Sequence, residues 1–253
     1  MLREYKLTNS WKPSGKEIID MTFMAAGIVA VLQQEKLSTY NLVGEVIEVL
    51  DIGLVFDRNC RIACLNDCNI AVTEPCNNLI KIVTIIVPTP ITDLGTPAGT
   101  NMTGGITCRM DTLYVAFSDA IRLMDLSGQI QKVISIPSVN ILHFVNNDKM
   151  LCVYSKKDSD KTMSCLDFSR DSLYDFEPFP FHPKQVTTDD VGNMIFLDDG
   201  VIWQGDSDGK NTKIMISVKV SNPYERLTYE KDSKTLLTYQ NIYSSVKVYR
   251  KLE

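Results

Sequence analysis

Histidine is almost missing from this 253-residue chain, which holds His143 and His182 alone. A hydrolytic triad needs a nucleophile, a base and a group that orients the base, so two histidines leave little to search. His143 lies in the apolar stretch Ile141-Leu142-His143-Phe144-Val145 and reads as a packed core residue. His182, between Phe181 and Pro183, reads as a surface or capping residue of a connector. Long apolar runs are also missing. The longest, Ile80 to Val87, is interrupted by Lys81 and Thr84, well short of the ~18 residues a membrane helix needs. Positive charge is in deficit: the formal net charge is −5. Nucleic-acid affinity comes mainly from neutralising phosphates with a basic face, so DNA is not expected as a partner and RNA ranks below protein. Gly104-Gly105 follows a polar connector rather than leading a strand into a helix, so there is no nucleotide fingerprint. The opening Met1-Leu2-Arg3-Glu4-Tyr5-Lys6 lacks the apolar core of a secretory signal. A cytoplasmic protein without a membrane partner is the expectation.

Seven cysteines, an odd number, suit a reducing compartment better than a disulfide framework. Cys60, Cys64, Cys68 and Cys76 lie close enough to suggest zinc, but the residues between them are strand-like, as in Arg61-Ile62-Ala63-Cys64-Leu65. Zinc ligands normally sit in pairs on tight turns. Buried or half-buried apolar cysteines are the expectation, with no metal and no cofactor.

What the chain has in quantity is short runs of Val, Ile, Thr, Tyr and Phe, each closed by Gly, Asn, Asp or Ser. They repeat. Asn41-Leu42-Val43-Gly44-Glu45-Val46-Ile47-Glu48-Val49-Leu50 aligns with Asp125-Leu126-Ser127-Gly128-Gln129-Ile130-Gln131-Lys132-Val133-Ile134, and Asp208-Gly209 is a third copy of the turn. Gly44 and Gly128 are 84 residues apart, Gly128 and Gly209 are 81 apart, in each case two periods of about 40 residues, the length of a four-stranded propeller blade.

That period predicts an all-β, six-bladed β-propeller spanning residues 1–253 as a single domain. The expected strands of the first blade are Ile18–Met24, Ile28–Gln33, Lys36–Leu42 and Glu45–Ile52. The second reads Arg61–Asn66, Asn69–Thr73, Leu79–Val83 and an ill-defined outer strand near Ile85–Val87. The third reads Gly105–Met110, Thr112–Phe117, Ile121–Asp125 and Ile130–Ile136; the fourth Asn140–Val145, Met150–Tyr154, Thr162–Phe168 and Ser172–Phe176. The fifth reads Gln185–Asp189, Met194–Leu197, Val201–Gln204 and Thr212–Val218. The sixth offers only Glu225–Tyr229, Thr235–Tyr239 and Val246–Tyr249, while Arg3–Thr8 is an isolated alternating strand. Placing that strand outermost in the sixth blade closes the ring without an exposed edge. A β-sandwich built from the same strands is the alternative.

Two stretches carry wording that resembles the NHL repeat. They are Ile70-Ala71-Val72-Thr73-Glu74-Pro75-Cys76-Asn77-Asn78-Leu79-Ile80-Lys81-Ile82 and Leu113-Tyr114-Val115-Ala116-Phe117-Ser118-Asp119-Ala120-Ile121-Arg122-Leu123-Met124-Asp125. Arg226–Leu237 resembles the closing blade of invertebrate tripartite-motif proteins that end in an NHL domain. The resemblance implies a substrate-recognition or scaffold propeller of a ubiquitin-ligase-like protein. The RING, B-box and coiled-coil parts are not in this sequence, so catalysis is not expected from it. The alternative from another class is the calcium-dependent lactonase type of six-bladed propeller, with Glu74, Asp119, Asp198 and Asp199 as candidate carboxylates. An RNA-binding NHL domain is a lesser alternative.

Binding function concentrates in loops on a rigid scaffold. The face formed by loops between second and third strands holds Gln33–Lys36, Glu74–Asn78, Ser118–Ala120, Lys156–Lys161, Asp198–Gly200 and Asn241–Ser245. The candidate contacts for a protein or peptide partner are Glu35, Lys36, Asn77, Asn78, Asp119, Lys156, Lys157, Asp199, Asn241 and Tyr243, with Trp203 as a further aromatic anchor. Pro88–Thr103 reads as an unusually long connector on the same face, a candidate contact loop.

Overall fold

A computed structural model of the chain describes residues 5–15, 17–25, 27–34, 36–55, 57–85, 90–154, 163–176, 182–207, 209, 211–217, 225–240 and 244–252. It is a six-bladed β-propeller of six four-stranded antiparallel sheets. A 3₁₀ turn at Pro75–Asn77 is the one helical element among the described residues, and none of their helices is long and apolar enough to cross a membrane.

The chain starts with β1 (Tyr5–Trp11) and enters blade 1 through β2 (Ile18–Phe23), β3 (Ile28–Gln33), β4 (Lys36–Asn41) and β5 (Val46–Asp51). Blade 2 is β6 (Ile62–Cys64), β7 (Asn69–Glu74), β8 (Leu79–Thr84) and β9 (Ile91–Gly95). Blade 3 is β10 (Met102–Arg109), β11 (Thr112–Phe117), β12 (Ile121–Met124) and β13 (Ile130–Ile134). Blade 4 is β14 (Val139–Phe144), β15 (Lys149–Tyr154), β16 (Met163–Asp167) and β17 (Ser172–Asp175). Blade 5 is β18 (Gln185–Thr188), β19 (Met194–Asp198), β20 (Val201–Gly205) and β21 (Lys213–Ser217). Blade 6 is β22 (Arg226–Glu230), β23 (Thr235–Gln240) and β24 (Ser245–Lys251), with β1 as its outermost strand. The loose N-terminal strand thus completes the last blade, in the register Tyr5↔Lys251 to Trp11↔Val246.

The composition of each strand follows from its place in its blade. Second strands are covered on both faces and read as nearly continuous apolar runs, IVAVLQ in β3 and TLYVAF in β11. Outer strands are exposed on most positions, as in β5 and β13. The repeated turns have a single physical cause. Asn41 Oδ1 accepts the N–H groups of Val43 and Glu45 at 3.1 and 2.9 Å, and Asp125 Oδ1 accepts those of Ser127 and Gln129 at 2.9 Å each. The side chain closes the turn and leaves the third following residue in the left-handed region. That residue is Gly44 in the first copy, at φ +88°, where a Cβ would come within 2.4 Å of Trp11.

Contacts divide the chain into two compact units. One comprises Met1–Gln33, Leu37–Val49 and Phe179–Glu253; the other comprises Gln34–Lys36 and Leu50–Pro178. In the first, Trp11 stacks on Tyr40 at 4.7 Å over a core of Ile18, Met21, Phe23, Val29 and Val31, joined by Leu237, Tyr239, Val246 and Val248. In the second, Leu113, Val115, Phe117 and Met124 pack with Ala71, Ile80 and Ile106, and Tyr114 packs with Leu142 and Met150.

Four expectations are corrected. The outer strand of blade 2 is Ile91–Gly95, not Ile85–Val87, of which Ile86 and Val87 lie outside the described residues. Pro88–Thr103 is therefore not one long connector: β9 occupies its middle and β10 begins at Met102. The strand was hidden because only Leu94 of Ile-Thr-Asp-Leu-Gly is buried, leaving no alternation to read. His143 is half-buried on β14, not a fully packed core residue. Cys68 and Cys76 are exposed, since both fall in turns, whereas Cys60, Cys152 and Cys165 are buried.

Candidate recognition surface

In the unit holding blades 2 to 4, the loop from β7 to β8 is built around Glu74. Its carboxylate is 1 % exposed, and Oε1 accepts the Val55 N–H at 3.1 Å and Asn77 Nδ2 at 2.6 Å. Lys81 Nζ lies 3.6 Å from Oε2 and 3.2 Å from Asp93 of the outer strand. A candidate catalytic carboxylate is thereby committed to holding its own loop. Asn77 stands exposed at the tip of the turn. Asn78 adopts the left-handed conformation at φ 51°, which Asn tolerates better than most residues. It donates through Nδ2 to the Thr100 carbonyl at 2.6 Å and accepts the Met102 N–H at 3.0 Å on Oδ1. Its own carbonyl accepts from Thr96 Oγ1 at 2.8 Å. Asn78 therefore staples its turn to the strand that opens blade 3, and its side chain has little left to offer a ligand.

The equivalent loop of blade 3 is fixed differently. Asp119 is exposed and receives a two-pronged pair of hydrogen bonds from Arg122, at 2.9 and 2.8 Å. Those bonds hold the Asp119 carboxyl below the usual carboxylate range. The Arg122 guanidinium lies 4.5 Å above the Phe117 ring, a cation–π contact. Ser118 donates its N–H to the Asn101 carbonyl at 2.8 Å, tying the loop to the incoming connector. Sequence reasoning missed Arg122 and Phe117, although the Asp-x-x-Arg spacing across a tight turn was available to be read.

In the other unit, Asp199 sits exposed between β19 and β20 and pairs with Lys184. Gly200 donates its N–H to Glu225 Oε2 at 2.9 Å. Glu225 is 1 % exposed, its Oε1 has no hydrogen-bond partner among the described residues, and burial raises its pKa. Burial, then the neighbouring Asp199 charge, raises Asp198 as well. Arg226 is buried beside Asp20 at 3.8 Å. Sequence reading missed Glu225: a lone acid before a strand carries no motif.

Of the remaining candidates, Lys36 is exposed at the start of β4 and Trp203 is half-buried on β20. Glu35, Lys156, Lys157, Asn241 and Tyr243 lie outside the described residues. No three His, Cys, Asp or Glu side chains among the described residues come together as metal ligands.

No family model matches the chain, and no curated protein sequence does. Solved structures show the same fold at low identity. A gluconolactonase of Xanthomonas campestris, XC5397, superposes with a TM-score of 0.73 at 12 % identity, covering 95 % of this chain and 88 % of that one. An inactive H270A virginiamycin B lyase from Staphylococcus aureus gives 0.67 at 12 % identity, covering 98 % and 100 %. The Pan2 WD40 domain of Neurospora crassa gives 0.63 at 12 % identity, covering 92 % and 74 %. Enzymes and non-enzymes thus share this architecture, and the likeness is one of fold.

Proposed function

We propose that the chain is a non-catalytic protein- or peptide-recognition propeller, a single domain over residues 1–253 acting in the cytoplasm. Its family reading is the NHL propeller of tripartite-motif proteins, in which it would select the target of a ubiquitin-ligase-like parent. One observation carries the reading: of the four candidate carboxylates, Glu74, Asp119 and Asp199 are engaged in holding their own loops. Glu74 is bound by Val55, Asn77 and Lys81, and Asp119 is bound by Arg122. The outcome is a rigid loop surface of mixed charge with Asn77, Cys76, Ser118 and Asp119 outermost. Mixed polarity on a preorganised scaffold suits a protein contact, because little loop entropy is lost on binding.

The test is affinity capture with immobilised protein, comparing the wild type with Asn77→Arg and Asp119→Lys. Val191→Arg, on an exposed hairpin tip of blade 5, serves as control. A partner retained by the control and lost by both loop variants, with unfolding midpoints unchanged, supports the reading. Capture that both loop variants leave intact removes this surface from consideration.

A further inference from the structure

Blade 1 carries an outer edge unlike the rest. Val43, Val46, Ile47 and Val49 are 63, 47, 54 and 45 % exposed, all within one hairpin. Ile47 and Val49 project from the same face of β5, since alternate side chains of a strand share a face. β5 ends the strand order of its sheet, so among the described residues its outer backbone N–H and C=O groups face no neighbouring strand. Natural edges of this kind are usually blunted by lysine, shortness or a bulge. β1 carries Lys6, β13 carries Lys132, β21 carries Lys213, β17 has four residues, and β9, which also lacks lysine, exposes Ile91 as its one large apolar side chain. β5, Val-Ile-Glu-Val-Leu-Asp, has no lysine. No lysine or arginine occurs between Lys36 and Arg58, a stretch that contains Glu45, Glu48, Asp51 and Asp57.

We propose that β5 is a docking edge that accepts an extended, basic peptide segment of a partner as a fifth strand. Backbone hydrogen bonds to the free edge would supply affinity, and apolar side chains of the peptide would cover Ile47 and Val49. Lysines or arginines at the alternate positions would lie on the opposite face beside Glu48, which chooses the partner by charge. A second copy of this chain is the poorer occupant. Two β5 edges paired antiparallel about Glu48 would set Glu48 against its own counterpart and Glu45 against Asp51, and opposed like charges destabilise a strand pair.

The experiment uses the full chain and two labelled, end-capped octapeptides, one alternating valine with lysine and one alternating valine with glutamate. Fluorescence anisotropy measures binding, and hydrogen exchange locates it. The basic peptide is expected to bind at least about tenfold tighter than the acidic one, to weaken as salt screens the charges, and to slow exchange at Val46–Val49. Ile47→Lys, an exposed change that leaves the core untouched, lowers that affinity about tenfold. Val133→Lys on β13, where Val133 is 50 % exposed, leaves it unchanged. Equal binding of the two peptides, protection elsewhere on the chain, or indifference to Ile47→Lys overturns the proposal. A concentration-dependent dimer abolished by Ile47→Lys overturns it in favour of self-association.

Discussion

Replacing Lys251 with Met tests how the closing blade is held to its neighbour in the first unit. Lys251 ends β24, and its Nζ lies 2.7 Å from Asp190 Oδ1 and 3.4 Å from Asp189 Oδ2. Both acids belong to the hairpin between β18 and β19 of blade 5. Tyr229 of β22 donates its hydroxyl to the same Asp190 oxygen at 2.9 Å, so two strands of blade 6 grip one loop of blade 5. The Asp189 side chain is wholly buried, but it keeps the N–H groups of Val191 and Asn193, Asn193 Nδ2 and Gln204 Nε2 when the lysine is gone. Orphaning a fully buried charge costs roughly 3–5 kcal/mol. The remaining donors, and the 18 % exposure of Lys251, reduce that to about 1.5–3 kcal/mol, the range for a hydrogen bond to a charged group. For a chain of this size the melting temperature falls by roughly 4–10 °C.

The pH profile separates the charge pair from lost packing. Burial opposes ionisation of Asp190, but the hydrogen bonds from Lys251 and Tyr229 outweigh it and hold the carboxyl below its ordinary value. A depressed folded pKa contributes stability that is complete above the unfolded value, about 3.9, and fades as pH falls through the folded one. Burial likewise opposes protonation of Lys251, yet its bond to Asp190 and the Asp189 charge raise its pKa, so its contribution fades only in alkali. Urea unfolding of the two proteins should differ by a constant amount from about pH 5 to pH 9, and the difference should shrink as the pH falls below the unfolded carboxylate value of about 3.9. A difference within about 0.5 kcal/mol at neutral pH, or one that widens in acid, refutes the reasoning.

Gly104→Ala should cost more than about 3 kcal/mol, because at φ +104° its Cβ would stand 1.8 Å from the Asn59 carbonyl oxygen. Gly95→Ala, with nothing within 4 Å, is the neutral comparison in the same denaturation series. Asn78→Ala should cost about 1–3 kcal/mol and speed hydrogen exchange at the Met102 N–H that it leaves unbonded. Thiol labelling of the native chain, read by mass spectrometry, should reach Cys68 and Cys76 first and spare Cys60, Cys152 and Cys165 until unfolding. Burial pushes the Cys60 thiol up to about 12, which further slows its reaction.

The blade period was legible because each turn carries its own chemistry. An Asn or Asp that bonds forward to the backbone, followed by Gly at positive φ, marks Asn41–Gly44 and Asp125–Gly128 without reference to the rest of the chain. The six second strands were equally plain, since burial on both faces leaves long apolar runs such as Leu113–Phe117. β9 was not legible: an outer strand with one buried side chain has neither alternation nor an apolar run. The loop surface was legible as a place but not as a mechanism. Asn78 reads in the sequence as a contact residue, and its bonds to Thr100 and Met102 depend on a strand the spacing does not bring near it. The grip of Arg122 on Asp119 and Phe117 and the burial of Glu225 depend on residues brought together by the sheet, which one-dimensional spacing does not encode.

Thermal unfolding of the purified chain with calcium and after chelation separates recognition from calcium-dependent catalysis. A ligand bound by the native state raises the midpoint by mass action. For a recognition propeller the midpoints with calcium and after chelation are expected to coincide. A rise of several degrees with calcium that chelation reverses would contradict that reading and turn attention to lactone and ester substrates.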